Sequence, residues 1–432
     1  MKKLLLILTT LLMTSATLLA QHGKYVGGDI SILPLYEQHN KPYLDKSGNK
    51  IDNLLTWLMS ECGWNTFRVR LFVDPKGKHP DGSVDPSVCQ DLEYVKALGK
   101  RVKEAGANFM LDFHYSDTWV DASHIQAPDA WKNLTVDQKA VKISDYTHEV
   151  LQALKAVGAQ PDQVQVGNEI MYGFMGIKVA PYDKSDSDWT GYLKVLKAAA
   201  EAVRAECPEA EIIVHTDRPT NSDYIKYYYN KLDAAAVPYD VIGLSYYPFW
   251  HGTLTSLANS LGKVKSDFPA KKIQIVETAY YFQYWPTQGV NYNTQSTWVA
   301  TADGQYKFVK DLINTLASYE QVEGLSYWCP EEAGNGDDTD WNTSSGTVLA
   351  TWLNRGLWWP SLGADNKGHW PVTSNGDYAA KLMKGFLGAE ASLGSTPTLS
   401  HDAPIYNILG QRVSHVERGQ IYIQNGRKFI QK

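Results

Sequence analysis

Cysteine is scarce: there are four in 432 residues, at Cys62, Cys89, Cys207 and Cys329. Their spacings match no zinc site, and four cysteines allow three complete pairings, so no connectivity can be read from them. Cys62 and Cys89 are the nearest pair in sequence, and joining them would take an oxidising compartment. Long runs of one charge are also missing. Lys and Arg number 41 against 47 Asp and Glu, a net charge of -6, which argues against nucleic acid or an anionic membrane as partner. A neutral polymer suits that balance. No Gly-rich phosphate loop follows the first strand candidate, which speaks against a doubly wound nucleotide-binding sheet. No membrane-spanning run is expected beyond the N-terminal segment. What the chain does have is aromatic surface: 14 Trp and 26 Tyr. Aromatic faces stack on the apolar faces of sugar rings, and they also fill large cores, so the count alone does not choose between the two.

The first twenty residues read as a signal peptide. Lys2 and Lys3 supply the positive end, Leu4 to Leu12 the apolar stretch, and Leu18-Leu19-Ala20 a cleavage site. The expected location is secreted or periplasmic, with the cell surface as an extension of either.

From about Gly27 to Pro330, short apolar runs alternate with helical patterns. The strand candidates are Tyr25–Ile30, Thr66–Phe72, Asn108–His114, Gln163–Asn168, Glu211–His215, Val241–Tyr246, Ile273–Thr278 and Gly324–Trp328. Strand then helix, eight times over, predicts a (β/α)8 barrel, an α/β TIM-barrel fold, across residues 21–387. Residues 388–404, rich in Ser, Thr, Pro, Gly and Ala, read as a linker. Residues 405–432 read as a short C-terminal β tail, too small to form a core alone.

Several strand candidates end in polar and aromatic residues, and in a barrel those ends converge on the face that carries active sites. Two of the endings are glutamates, Glu169 and Glu277, closing strands four and seven. Retaining glycoside hydrolysis needs two carboxyl groups flanking one sugar bond, roughly 5–5.5 Å apart, one protonated and one ionised. Glu169 and Glu277 are therefore the catalytic candidates. Asn168 is placed to bond the hydroxyl beside the anomeric carbon. Arg68 and Arg70 share a strand face, and Arg70, nearer the C-terminal end, is expected to hold Glu277 ionised. Asp29, His114, Asp117 and Tyr246 are candidates for orienting carboxylates or sugar hydroxyls, with Tyr115 beside His114. Trp119, Trp250, Trp328 and Trp341 are candidate stacking platforms. The acidic loop Gly334–Asp340 offers Asp337, Asp338 and Asp340 as calcium ligands, although it lacks the spacing of an EF-hand loop. No cofactor is required by this chemistry, and a monomer is expected.

Taken in order, Gly28-Asp29-Ile30-Ser31, Phe67-Arg68-Val69-Arg70-Leu71, Asp112 to Trp119, Gly167-Asn168-Glu169, Ile242 to Gly252 and Val276 to Tyr280 resemble the arabinogalactan endo-β-1,4-galactanases. That resemblance implies a (β/α)8 fold, retention of configuration, and cleavage of internal β-1,4-galactosidic bonds in type I galactan. It implies Glu169 as acid/base, Glu277 as nucleophile, and a structural calcium in bacterial members. Two positions depart from the family pattern. Trp119-Val120-Asp121-Ala122 stands where Trp-Ala-Asp-Pro is usual, and Tyr327-Trp328-Cys329-Pro330 where Tyr-Trp-Glu-Pro is usual. Near the C-terminus, Tyr406 to Arg412 resembles the sorting-type modules of secreted Bacteroidetes proteins. The same residues leave two other readings: a β-mannanase or β-glucanase of the same clan, and a glycan-binding protein without turnover.

Overall fold

Eight strands close into one parallel barrel: β1 (Tyr25–Asp29), β2 (Thr66–Leu71), β3 (Asn108–Phe113), β4 (Gln163–Val166), β5 (Glu211–Thr216), β6 (Val241–Ser245), β7 (Lys272–Glu277) and β8 (Val322–Trp328). Each pairs with its neighbours in sequence, and β1 closes on β8. The computed structural model describes residues 25–38, 42–180, 182, 186–282, 294, 297–333, 355–358, 361–362, 368–371 and 376–387. It also describes four short strands, Ile405–Asn407, Arg412–Val413, Ile421–Gln424 and Arg427–Ile430, which form an antiparallel sheet.

The apolar runs are continuous because both faces of a barrel strand are covered, one by the barrel interior and one by helices. All six residues of β2 and of β5 are buried, for example. The strand candidates match to within a residue or two. Two differ by two residues: β8 begins at Val322 rather than Gly324, and β4 ends at Val166 rather than Asn168, because Gly167 (φ 84°) and Glu169 (φ 48°) leave the extended region. At Gly167 a Cβ would also sit 2.6 Å from the Ile170 side chain, so this turn needs glycine.

The connecting helices are α1 (Leu54–Cys62), α2 (Leu92–Glu104), α3 (Val136–Ala156), α4 (Trp189–Glu206), α5 (Ser222–Ala234), α6 (Leu254–Asp267) and α7 (Ala302–Leu316), with α8 (Gly376–Met383) after β8. Asn53, Asp91, Thr135, Asp188, Asn221, Thr253 and Thr301 each accept a backbone N–H in the first turn of the helix they precede. These side chains satisfy amides that the helix itself leaves unbonded. The segment around α8 is tied back to the barrel, since Trp64 donates to the Ala380 carbonyl at 2.9 Å. None of the described helices is long and apolar enough to cross a membrane. All four cysteines are free thiols.

Candidate active site

β7 ends at Glu277, whose side chain turns into the barrel mouth. Its Oε1 pairs with Arg68 at 2.9 Å, and its Oε2 accepts from the Tyr247 hydroxyl at 2.9 Å. Arg68 is fully buried and serves three carboxylates at once, reaching Asp29 at 2.9 Å and Asp112 at 2.8 Å as well. A buried guanidinium with that surround stays charged and holds its partners in fixed positions. Burial pushes the Glu277 carboxyl up to about 7, while Arg68 and the Tyr247 hydroxyl pull the other way.

Glu169 follows β4 in a left-handed backbone conformation that non-glycine residues rarely adopt. Such strain survives only where the surroundings hold it, and it concentrates at functional positions. Burial raises the Glu169 carboxyl well above the usual range, with Glu277 and then Asp217 adding to it. Among the described residues no ion pair forms at Glu169, whereas Glu277 touches a cation. Of the two, Glu169 therefore keeps the proton. Oxygens of Glu169 and Glu277 and a ring nitrogen of His215 lie within 4.8 Å of one another. That cluster has the size of a metal site, but its donor atoms face protein partners: Glu277 faces Arg68 and Tyr247, and Glu169 faces Ser245 at 2.6 Å.

Both carboxyl groups line a cleft of about 670 Å³. One wall is built by the loops after β2, β3 and β8. There Trp119 meets Trp328 edge-on at 6.2 Å and donates to Asp85 at 2.7 Å, while the Arg70 guanidinium lies 4.5 Å over the Trp119 ring. His79 joins this wall and pairs with Asp85 at 3.3 Å. The loops after β4, β5 and β6 build the other wall from Asp217, Arg218, Trp250 and His251, with Tyr172 accepting from Arg218 at 2.9 Å. Trp250 is 55% exposed, an open aromatic face at the cleft edge.

Glycosyl hydrolase family 53 matches this chain over residues 25–358. The chain belongs to that family. It is a glycoside hydrolase. An arabinogalactan endo-beta-1,4-galactanase A from Emericella nidulans is 30% identical over 362 residues, covering 81% of this chain and 95% of that protein. The endo-beta-1,4-galactanase of Bacillus subtilis is 29% identical over 310 residues, 70% of this chain and 69% of that one. Among solved structures, a family 53 catalytic domain from Ignisphaera aggregans superposes with a TM-score of 0.70 at 27% identity, covering 84% of this chain and 96% of its own. A fungal beta-1,4-galactanase structure does so at 0.64 and 25%, covering 84% and 99%.

In this family 53 enzyme, the cleft brings together Glu169, Glu277, Asn168, His114, Trp119, Trp250 and Trp328 of the residues expected from sequence. Arg70 requires a correction. It bonds Asp29 at 3.3 Å and backs Trp119, while Arg68 makes the contact with Glu277. Both point inward, but the barrel strands are tilted, so position along β2 does not give reach. Asp29 is completely buried beneath the cleft, divided between Arg68, Arg70 and the Ser31 amide, so it supports the site and does not face substrate. Tyr246 points away from the mouth. It packs against Phe308 and donates to the Gly252 carbonyl at 2.9 Å, and its neighbour Tyr247 takes the place expected for it. Strand alternation explains the exchange: Ser245 faces Glu169, so Tyr247 shares that face and Tyr246 does not. Tyr115 also turns away, stacking on Phe113. Asp117 lies outside the cleft lining and accepts from the Asp74 and Asp129 amides at 3.1 and 2.8 Å, closing a loop.

Asn168 reaches the cleft, but its amide is engaged on both ends, accepting from Arg68 at 2.8 Å and donating to the Val120 carbonyl at 2.7 Å. Cys329, where the family pattern has Glu, is buried in a left-handed conformation (φ 50°) and does not line the cleft. Asp112, His215, Asp217 and Arg218 were missed because each is a single polar residue at or near a strand end, and His79 because it lies well into the loop after β2, which carries no signal. Asp337, Asp338, Asp340 and Trp341 lie outside the described residues.

Proposed function

We propose that this enzyme is an exported endo-β-1,4-galactanase that cleaves internal bonds of type I galactan with retention of configuration. The observation that carries the reading is the asymmetric carboxyl pair. Its nearest oxygens lie within 4.8 Å, which fits the roughly 5–5.5 Å carboxyl spacing of retaining enzymes and is short of the roughly 6.5–9.5 Å of inverting ones. In the first step Glu277, held by Arg68 and Tyr247, attacks the anomeric carbon while Glu169 protonates the leaving oxygen. In the second, ionised Glu169 takes a proton from water, which releases the sugar from Glu277. The galactan assignment is supported by the galactanase relatives and by the aromatic walls of the cleft. Export rests on the basic and apolar segment Met1–Ala20, and mass spectrometry of the mature N-terminus tests it.

The deciding experiment is a product profile from residues 21–432 on linear β-1,4-galactan, with mannan and cellulose alongside and with Glu169→Ala and Glu277→Ala. Short β-anomeric galacto-oligosaccharides, lost in both variants, are expected. Turnover only on mannan or cellulose would move the substrate elsewhere in the clan, and galactan binding without products would overturn the catalytic reading.

A further inference from the structure

We propose that Ser245 is a positioning residue for Glu169, its hydroxyl acting as a two-position switch. It accepts from Glu169 while that carboxyl is protonated and swings to donate to it once ionised, with His215 holding the serine proton in the first position. This rests on Glu169 being the acid/base.

The direction of each bond follows from its partners. Ser245 Oγ lies 2.6 Å from Glu169 Oε1 and 2.8 Å from His215 Nε2. His215 Nδ1 lies 3.0 Å from Asn168 Oδ1. The Asn168 amide is oriented without ambiguity, since its nitrogen donates to Val120 and its oxygen accepts from Arg68. Two acceptors facing each other at 3.0 Å would repel, so Nδ1 carries the imidazole hydrogen. The Glu169 backbone N–H also points at this nitrogen, at 3.3 Å, and the shorter Asn168 contact sets the tautomer proposed.

Only one hydrogen is on the ring. Burial, then the Arg68 charge, hold His215 well below its usual range; Asp112 acts in the opposite sense, and His114 and His251 add to the lowering. Nε2 is therefore bare and accepts from Ser245. A hydroxyl has one hydrogen, and this one is committed to the ring. The short contact to Glu169 then needs a hydrogen from Glu169 itself, whose neutral form is favoured by burial, Glu277, Asp217 and Asp121; donation from Ser245, the second position of the switch, favours the ionised form instead. The cation on that side, Arg218, is paired with Asp217 at 3.3 Å.

In the resting enzyme the donors thus run from Glu169 to Ser245 to His215 to Asn168. Asn168 is fixed in turn by Arg68, the residue that holds Glu277. When Glu169 gives its proton to the leaving oxygen, it becomes an acceptor. The serine hydroxyl then rotates about Cβ–Oγ to meet it, with no bond broken and no proton transferred. When Glu169 takes a proton from water, the hydroxyl returns to Nε2.

The test is the pH profile of kcat/KM on galacto-oligosaccharides, whose basic limb reports Glu169 in the free enzyme. Ser245→Ala removes the donor to the ionised form, the stronger of its two bonds, and should move that limb to higher pH by about half a unit or more. His215→Phe leaves the serine hydrogen nowhere to go but Glu169, which favours the carboxylate, so the limb should move to lower pH by a similar amount. Because His215 is neutral, that substitution removes no charge. Opposite shifts support the switch. Shifts in the same direction, or an unmoved limb in His215→Phe, overturn it while leaving the galactanase reading intact. Should His215→Phe fail to fold, no upward shift in Ser245→Ala overturns it alone. A wild-type enzyme inactive on galactan would instead sink the underlying reading, and this inference with it.

Discussion

Arg68 donates to Glu277 at 2.9 Å from the floor of the barrel mouth while also pairing with Asp29 and Asp112, so one buried cation sets the position of the carboxylate proposed as nucleophile. Lysine in its place would keep the charge and lose the planar fork that reaches three partners. Arg68→Lys is expected to lower kcat about 100-fold and to lower Tm by several degrees, since leaving a buried carboxylate badly paired costs about 3–5 kcal/mol. Steady-state kinetics with thermal melts check both numbers together.

Tyr247 donates to the other Glu277 oxygen, and this bond favours the ionised carboxyl. Tyr247→Phe should therefore raise the Glu277 pKa. With Glu277 as the proposed nucleophile, activity requires it ionised and is lost as pH falls through that value. The acidic limb of kcat/KM in the variant should move to higher pH by about 1 unit, the worth of one hydrogen bond to a charged group. A limb that stays put would remove Tyr247 from this role.

Burial, then Glu277, raise the Glu169 carboxyl well above its solution range. A carboxyl with a raised folded pKa contributes most below its unfolded value and progressively less as pH rises through the folded one. Glu169→Gln should for that reason melt higher than the wild type at pH 8, by about 1 kcal/mol, with the difference fading toward pH 4. Melting curves across that range give the answer.

Trp250 and Trp119 should separate when truncated. Trp250 is more than half exposed, so Trp250→Ala is expected to raise KM for galactan about tenfold with Tm unchanged. Trp119 bonds Asp85, supports Arg70 and meets Trp328. Trp119→Ala should weaken binding and also cost about 3 kcal/mol of stability. Equal melting losses in both would contradict the exposure difference.

The barrel was legible in the chain because both faces of its strands are buried, and eight apolar runs separated by helical patterns have few other solutions. The catalytic glutamate candidates were legible for a related reason, as each closes such a run. Strand parity also indicated that Arg68 and Arg70 face inward together, and it would have selected Tyr247 over Tyr246 had Ser245 been recognised as facing the cleft. Depth is another matter. Tertiary structure alone decided that Arg68 reaches Glu277 while Arg70 backs a tryptophan, because the tilt of β2 in the barrel sets where two side chains of equal length arrive, and that tilt is not written in residue order. It alone decided which glutamate keeps the proton. That depends on one guanidinium arriving from β2, two hundred residues away in sequence, at Glu277 and not at Glu169.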